Sequence, residues 1–226
     1  MKSKKIFAAT LGATAVAGTA IALRPWFMHW FMHWGAQESD RPRTWPGDEL
    51  TPHPVSTATR AVTIHAPADR IWPWIVQIGQ DRGGFYSYTW LENLVGARMK
   101  NASKILPEAQ KRKVGDTVWM APKERFGPIA SMRVAILEPE RAMVLVPSQD
   151  FEAVSRMGVA LGGTWAFILE PVDADTTRLV VRSRGPQKPR LGEKIFRTFL
   201  FDPAHFVMER RMMLGIKRRA ERKAKA

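Results

Sequence analysis

The chain has 226 residues, of which 45% are hydrophobic and 25% charged, a balance typical of a globular protein with a hydrophobic core. At about 150 residues per domain, this length indicates one full domain with an appendage and excludes a long multidomain enzyme. The lack of cysteine excludes disulfides, thiolate metal sites and cysteine nucleophiles. The formal net charge of +14 favours anionic partners, such as lipid headgroups or nucleic acid.

An uncharged run over residues 6–23 follows three lysines within the first five positions. Its 18 residues lie between a secretory signal core of about 7 to 15 residues and the roughly 20 residues that cross a bilayer. Trp26, Trp30 and Trp34 then recur at four-residue spacing, and tryptophan favours the membrane interface. We predict a single-pass membrane anchor and a Trp-rich interfacial segment over 1–34. The preceding lysines favour a domain on the outer, periplasmic or extracellular, side of the cell membrane.

Two alternatives stay open for this segment. Ala20-Ile21-Ala22 suits signal-peptide cleavage, and the segment also fits a cytoplasmic helix packed on the domain. His29 and His33 lie one helical turn apart, but no acidic or histidine partner lies near them in the sequence. This arrangement favours an interfacial polar stripe, so we predict no metal site.

The remainder of the chain divides into three parts. Residues 35–56 are rich in Pro, Asp, Glu and Arg with little hydrophobic periodicity, which predicts a linker. Residues 57–220 form the folded domain, and residues 221–226 are a basic tail. No nucleic-acid reading module accompanies that tail, so contact with lipid headgroups is the simpler interpretation and we predict no nucleic-acid partner.

Within the domain, the hydrophobic pattern predicts alternating strands and a few helices. Pro73 removes one backbone donor inside the first helical pattern and predicts a kink or a restart of the helix there. Asp173 to Thr176 predicts the turn of an antiparallel hairpin. The predicted strands are Thr59–His65, Val114–Met120, Met132–Leu137, Met143–Val146, Trp165–Leu169 and Leu179–Arg182, and the predicted helices run from about Ala66 to Ile78 and from Tyr88 to Leu94.

A long closing helix is predicted from Ala204 to about Ala220, because Asp202-Pro203 supplies a cap and a first-turn proline. At 100° per residue, one half of this helix is apolar and the other half is basic. His205 and Glu209 fall inside the apolar half, which is otherwise formed by Phe206, Met208, Met212, Met213, Gly215 and Ile216.

The order of these elements, together with several segments, resembles the SRPBCC or START-like superfamily, which includes polyketide cyclases and lipid-transfer proteins. The segments that carry the resemblance run from Ala66 to Gly79, from Val134 to Leu145 and from Thr164 to Pro171. Two longer segments, from Arg82 to Leu94 and from His205 to Lys217, resemble a bacterial branch whose members often have an N-terminal membrane segment. The resemblance implies an α+β helix-grip fold, in which a curved antiparallel sheet wraps around a long C-terminal helix and leaves a hydrophobic cavity.

The predicted ligand-binding residues come from this cavity and from one aromatic loop. Met side chains suit the wall of an apolar cavity because the thioether adapts to irregular shapes, although such residues also serve as ordinary core. The loop holds Arg82 and both tyrosines of the chain, which makes it the candidate for a polar anchor at the cavity mouth. The full set is Gln77, Arg82, Tyr86, Tyr88, Trp90, Trp165, His205, Met208, Glu209 and Met212.

We therefore predict a membrane-tethered protein that binds or transfers a hydrophobic small molecule, such as a lipid or an isoprenoid-like compound. No cofactor and no catalytic residue are predicted. One alternative is a cyclase or dehydratase in which His205, Glu209 and Tyr86 converge on a substrate. The other is a non-catalytic membrane scaffold with a filled core.

Overall fold

The computed structural model describes residues 27–187, 191–192 and 202–222. Six strands form one antiparallel sheet in the order β1-β6-β5-β4-β3-β2. The strands are β1 (Thr57–Ile64), β2 (Thr117–Trp119), β3 (Ser131–Glu138), β4 (Ala142–Pro147), β5 (Thr164–Pro171) and β6 (Thr177–Arg184). The helices are α1 (27–32), α2 (Ala68–Val76), α3 (Thr89–Leu94), α4 (Lys123–Phe126), α5 (Phe151–Met157) and α6 (Asp202–Ala220).

The two predicted strand pairs are present. Leu137 of β3 pairs with Met143 of β4, with a register shift between Val134 and Ile136. The turn at residues 172–176 joins β5 to β6. These pairs are local in sequence, so the apolar alternation and the turn residues were sufficient to predict them. The predicted strand Val114–Met120 is shorter in the structure, and α4 and α5 have no counterpart in the sequence prediction.

The inner face of the sheet packs on α2 and α6, which gives the helix-grip arrangement. Ile71 and Ile75 of α2 meet Met213 and Ile216 of α6 in one core with the inward residues of the strands, such as Phe167. The helix α2 continues through Pro73 without a break, so it does not restart there. Only one intrahelical hydrogen bond is lost at Pro73, and its partner carbonyl belongs to the exposed residue Asp69.

The outer face of the sheet is also covered, and this differs from the prediction of a linker at residues 35–56. We call these residues the strap. Trp45 and Leu50 of the strap are buried against outward-facing residues of the sheet, among them Val144 and Ile168. The near-continuous apolar run of β4, in which five successive residues are buried, is typical of a strand with both faces covered.

Salt bridges hold the strap on the sheet. Their cationic partners are Arg178, Arg182 and Arg184 on the outer face of β6. The carboxylate of Asp48 accepts a hydrogen bond of 2.8 Å from Nε of Arg182 and lies 3.1 Å from Arg184. Asp40 pairs with Arg178. Asp40 and Asp48 are therefore the partners of an arginine row that lies more than 100 positions away in the sequence.

Most of the predicted anchor, residues 1–26, lies outside the described residues. Of the Trp-rich segment that is described, Phe31 is fully buried and its ring centroid lies 5.7 Å from that of Phe206 on α6. The main-chain N–H of Ala61 donates to the carbonyl of Trp34, so this segment also covers the free edge of β1. Within the described residues, no helix combines the length and the apolar character needed to cross a membrane.

Candidate functional site

Two neighbouring cavities lie beneath the first half of α6. The first, here called the helix cavity, has a volume of about 390 Å³ and lies between α6, α3 and the start of β5. Its wall is mostly apolar and includes Phe85, Val95, Ala97, Met120, Ala121, Phe126, Trp165, Ala204, Met208 and Met212. The second, here called the sheet-end cavity, has a volume of about 400 Å³ and lies at the start of β1 and β5. Met120, Trp165 and His205 line both cavities and so form the boundary between them.

A buried ion pair lies next to Trp165 and His205 at this boundary. Arg60 of β1 donates a hydrogen bond of 2.5 Å to Oε1 of Glu209 on α6, and the two side chains are 2% and 0% exposed. Nε of Arg60 donates at 2.7 Å to the carbonyl of Phe31. Because a buried charge is stable only when it is paired and hydrogen-bonded, this geometry fixes α6 against both the sheet and α1.

The second carboxylate oxygen of Glu209 organises the cavity boundary. Oε2 accepts a hydrogen bond of 2.8 Å from the indole nitrogen of Trp165 and one of 3.3 Å from the Ser183 hydroxyl. Nε2 of His205 lies 3.7 Å from the same oxygen. Burial acts to raise the pKa of Glu209, but Arg60 and the other donors outweigh it and hold the pKa below its usual value. Glu209 is therefore a charged structural acceptor rather than a proton donor near neutral pH.

Aromatic contacts fix the orientation of Trp165. Its ring stacks on Phe85 with the centroids 6.0 Å apart and meets the His205 ring edge-on at 5.6 Å. The hydrogen bond from the indole N–H to Glu209 adds a third contact that restricts rotation of this ring. Trp165 is therefore a rigid wall between the two cavities.

Five of the predicted ligand-binding residues come together at the helix cavity. They are Trp165, His205, Met208, Glu209 and Met212. Four of them lie on α6 within eight positions, so the helical spacing placed them on one face as predicted. Ligand binding by these side chains stays a prediction.

The other five predicted residues do not line either cavity. Tyr86 is buried and donates its hydroxyl to the Trp74 carbonyl at 3.0 Å, and burial raises its pKa. The side chain of Gln77 is hydrogen-bonded to the main chain of Lys104 and Leu106. Tyr86 thus ties the loop that follows α2 to α2 itself, and Gln77 holds the loop that follows α3.

The remaining three are also held by the protein or face solvent. Arg82 donates to the carbonyl of Ala109, and Tyr88 lies beneath the guanidinium of Arg211 at 5.1 Å. Trp90, on α3, is 64% exposed. The aromatic loop is therefore not a single polar anchor, because its backbone turns at Tyr86, which has a φ of +58°, and sends its side chains in different directions.

Two charged residues at the site were absent from the sequence prediction. Arg60 shares the inward face of β1 with Val62 and Ile64, so its position in the alternating pattern was an available signal. Glu92 of α3 lines the helix cavity, although the same short helix exposes its large apolar residues Trp90 and Leu94. The apolar residues of α3 would predict that the face with Trp90 and Leu94 packs on the domain. No signal in the sequence therefore indicated that Glu92 lines a cavity. Among the described residues, no group of three or more metal-ligating side chains occurs.

The fold of the chain is similar to several solved protein structures. No family model and no curated protein sequence matches the chain. A polyketide-cyclase-like protein from Corynebacterium glutamicum is 18% identical, with 72% of this chain and 89% of that chain covered and a TM-score of 0.36. The Aha1 protein of Colwellia psychrerythraea is 14% identical, covers 68% and 91%, and has a TM-score of 0.37. A norcoclaurine synthase of Thalictrum is 14% identical, covers 73% and 93%, and has a TM-score of 0.39.

Proposed function

We propose that this chain is a START-like helix-grip protein that binds a hydrophobic small molecule in the helix cavity. The observation that carries the proposal is an open space of about 390 Å³ with mostly apolar walls beneath α6. Small-molecule sites typically measure about 300 to 1,000 Å³ and have mainly apolar walls with a few placed polar groups. The helix cavity matches this description in volume and in wall chemistry.

The two halves of α6 have different surroundings, and this difference supports the same proposal. Its second half, with Met213 and Ile216, is packed into the main core. Its first half, with Ala204 and Met208, instead faces the open space. A protein interior is normally close-packed, so an apolar space beneath only one half of a helix is best explained by a ligand that fills it.

The geometry does not favour the cyclase or dehydratase alternative. That alternative requires Tyr86, His205 and Glu209 to converge. Among the described residues, the hydroxyl of Tyr86 is bonded to the Trp74 carbonyl and Glu209 is bonded to Arg60 and Trp165. The open cavity likewise argues against a scaffold with a filled core.

Membrane tethering by residues 1–34 is part of this proposal. Support comes from the uncharged run over 6–23 and from the net charge of +14, which suits an anionic lipid surface. We place the domain on the outer side of the membrane because of the lysines that precede the run. Carbonate extraction of membranes tests the tether, since a tethered chain stays in the pellet and a chain released by alkaline carbonate contradicts it.

A matched pair of variants on α6 tests ligand binding. Met208→Trp places a large ring in the helix cavity, whereas Val207→Trp adds the same ring at an exposed neighbouring position. Naphthalene serves as a neutral apolar probe, and its binding to the purified full chain is measured by saturation-transfer NMR. We expect the wild type and Val207→Trp to bind one equivalent and Met208→Trp to lose at least tenfold in affinity. Equal binding by both variants, or no binding by the wild type, overturns the proposal.

A further inference from the structure

Glu92 places a carboxyl group in the wall of the helix cavity, and one of its oxygens has no hydrogen-bond partner among the described residues. Its Oε2 is shielded from solvent and accepts no hydrogen bond from the part of the chain that the structure describes. Most other residues that line the cavity are apolar, including Val95, Ala97 and Phe126, and the remaining polar ones are Ser87, His205 and Glu209. A shielded carboxyl oxygen without a donor costs about 1 to 3 kcal/mol or more, so such a group marks a place where a partner is expected.

Glu209, the second carboxylate of the helix cavity, differs from Glu92 because both of its oxygens accept hydrogen bonds from protein side chains. Both residues line the helix cavity. The carboxylate of Glu209 is engaged by Arg60, Trp165 and Ser183. Glu92 thus retains the hydrogen-bonding capacity that Glu209 has already used.

We propose that the helix cavity selects hydrophobic amines, with the ligand ammonium group bound to Glu92 and the apolar body against the Met and aromatic wall. This inference rests on the proposed function and adds the chemical class of the ligand. The ammonium supplies the donor that Oε2 lacks, in a charge-assisted hydrogen bond that is stronger than a neutral one. A ligand carboxylate at the same place would be repelled.

The aromatic residues of the cavity wall supply contact area for the apolar body of the ligand. The rings of Phe85, Phe126 and Trp165 line the same cavity as Glu92. Trp165 is stacked on Phe85, and the guanidinium of Arg125 lies 5.2 Å from the Phe126 ring, so the match to a charged head group rests on Glu92. Burial raises the pKa of Glu92 to about 7, so the carboxyl is ionised and able to pair with an ammonium at pH 8.

Two ligands of the same shape test the inference. The probes are 1-aminoadamantane and 1-adamantanol, which differ only in the head group, and calorimetry at pH 8 measures their affinity for the purified full chain. We expect the amine to bind the wild type at least tenfold more tightly than the alcohol. In Glu92→Gln the preference is expected to fall below threefold, because the amide keeps the size of the side chain and removes its charge.

A second acidic residue provides the matched control. Glu152 on α5 is an exposed carboxylate, and Glu152→Gln is expected to keep the full preference for the amine. Circular dichroism establishes that both variants are folded. Equal affinity of the wild type for amine and alcohol, or an unchanged preference in Glu92→Gln, overturns the amine assignment while the proposed function stands. Failure of both probes to bind any of the proteins counts against the proposed function itself.

Discussion

The buried pair Arg60–Glu209 allows a stability prediction that can be worked from the structure. In Arg60→Met the side chain keeps most of its apolar volume, but the carboxylate of Glu209 loses its 2.5 Å partner in a site where it is 0% exposed. Removal of one member of a buried pair costs about 3 to 5 kcal/mol. The hydrogen bond from Arg60 to the Phe31 carbonyl is lost as well, which adds about 1 kcal/mol. The remaining donors, Trp165 and Ser183, offset part of this loss. We therefore expect a net loss of about 3 to 4 kcal/mol in the free energy of unfolding.

The double variant Arg60→Met/Glu209→Gln separates the pair from its surroundings. The amide oxygen of Gln still accepts from the indole of Trp165, and no charge is left buried. Urea unfolding of the full chain, followed by circular dichroism, gives the unfolding free energies of the wild type, both single variants and the double variant. We expect the double variant to be more stable than Arg60→Met, with a coupling energy of about 2 to 3 kcal/mol. A loss below about 1 kcal/mol in Arg60→Met, or additive single losses, would refute the reasoning.

Two further predictions concern Gly215 and Glu92. A Cβ at Gly215 would lie 2.5 Å from the Tyr86 carbonyl oxygen, so Gly215→Ala is expected to cost about 2 to 3 kcal/mol despite the better helix propensity of alanine. Gly192→Ala, at a helical position where the Cβ meets open space, is the control and is expected to keep or raise the unfolding free energy, by up to about 1 kcal/mol, because alanine has the better helix propensity; equal losses in urea unfolding would contradict this. The unfolded chain releases the Glu92 proton near pH 4.5 and the folded chain near pH 7, so the wild type should lose stability relative to Glu92→Gln as the pH rises between these values. The expected loss is on the order of 1 kcal/mol after allowance for the solvent that reaches this half-buried side chain, and a constant difference between pH 5 and pH 8 would contradict it.

Elements whose signals lie in neighbouring residues could be predicted from the amino-acid sequence. The hairpin of β5 and β6 follows from apolar alternation on both sides of a turn. The closing helix follows from a first-turn proline and a stripe of apolar residues at helical spacing, although Asp202, which was predicted to cap it, lies within the helix. That stripe also placed His205, Met208, Glu209 and Met212 on the face that lines the helix cavity.

Contacts between residues that are far apart in the chain depend instead on the three-dimensional fold. Arg60 and Glu209 are 149 positions apart, and their pairing depends on how α6 lies across the sheet. The sequence predicted a linker at the strap because its apolar residues, Trp45 and Leu50, are few and follow no regular period. In the structure both residues pack on the outer face of the sheet. The position of Glu92 in the cavity wall is set by the packing of α3 rather than by its amphipathic pattern. Local patterns determine helices and strands, whereas partners and cavities depend on the relative placement of those elements, which no short stretch of sequence records.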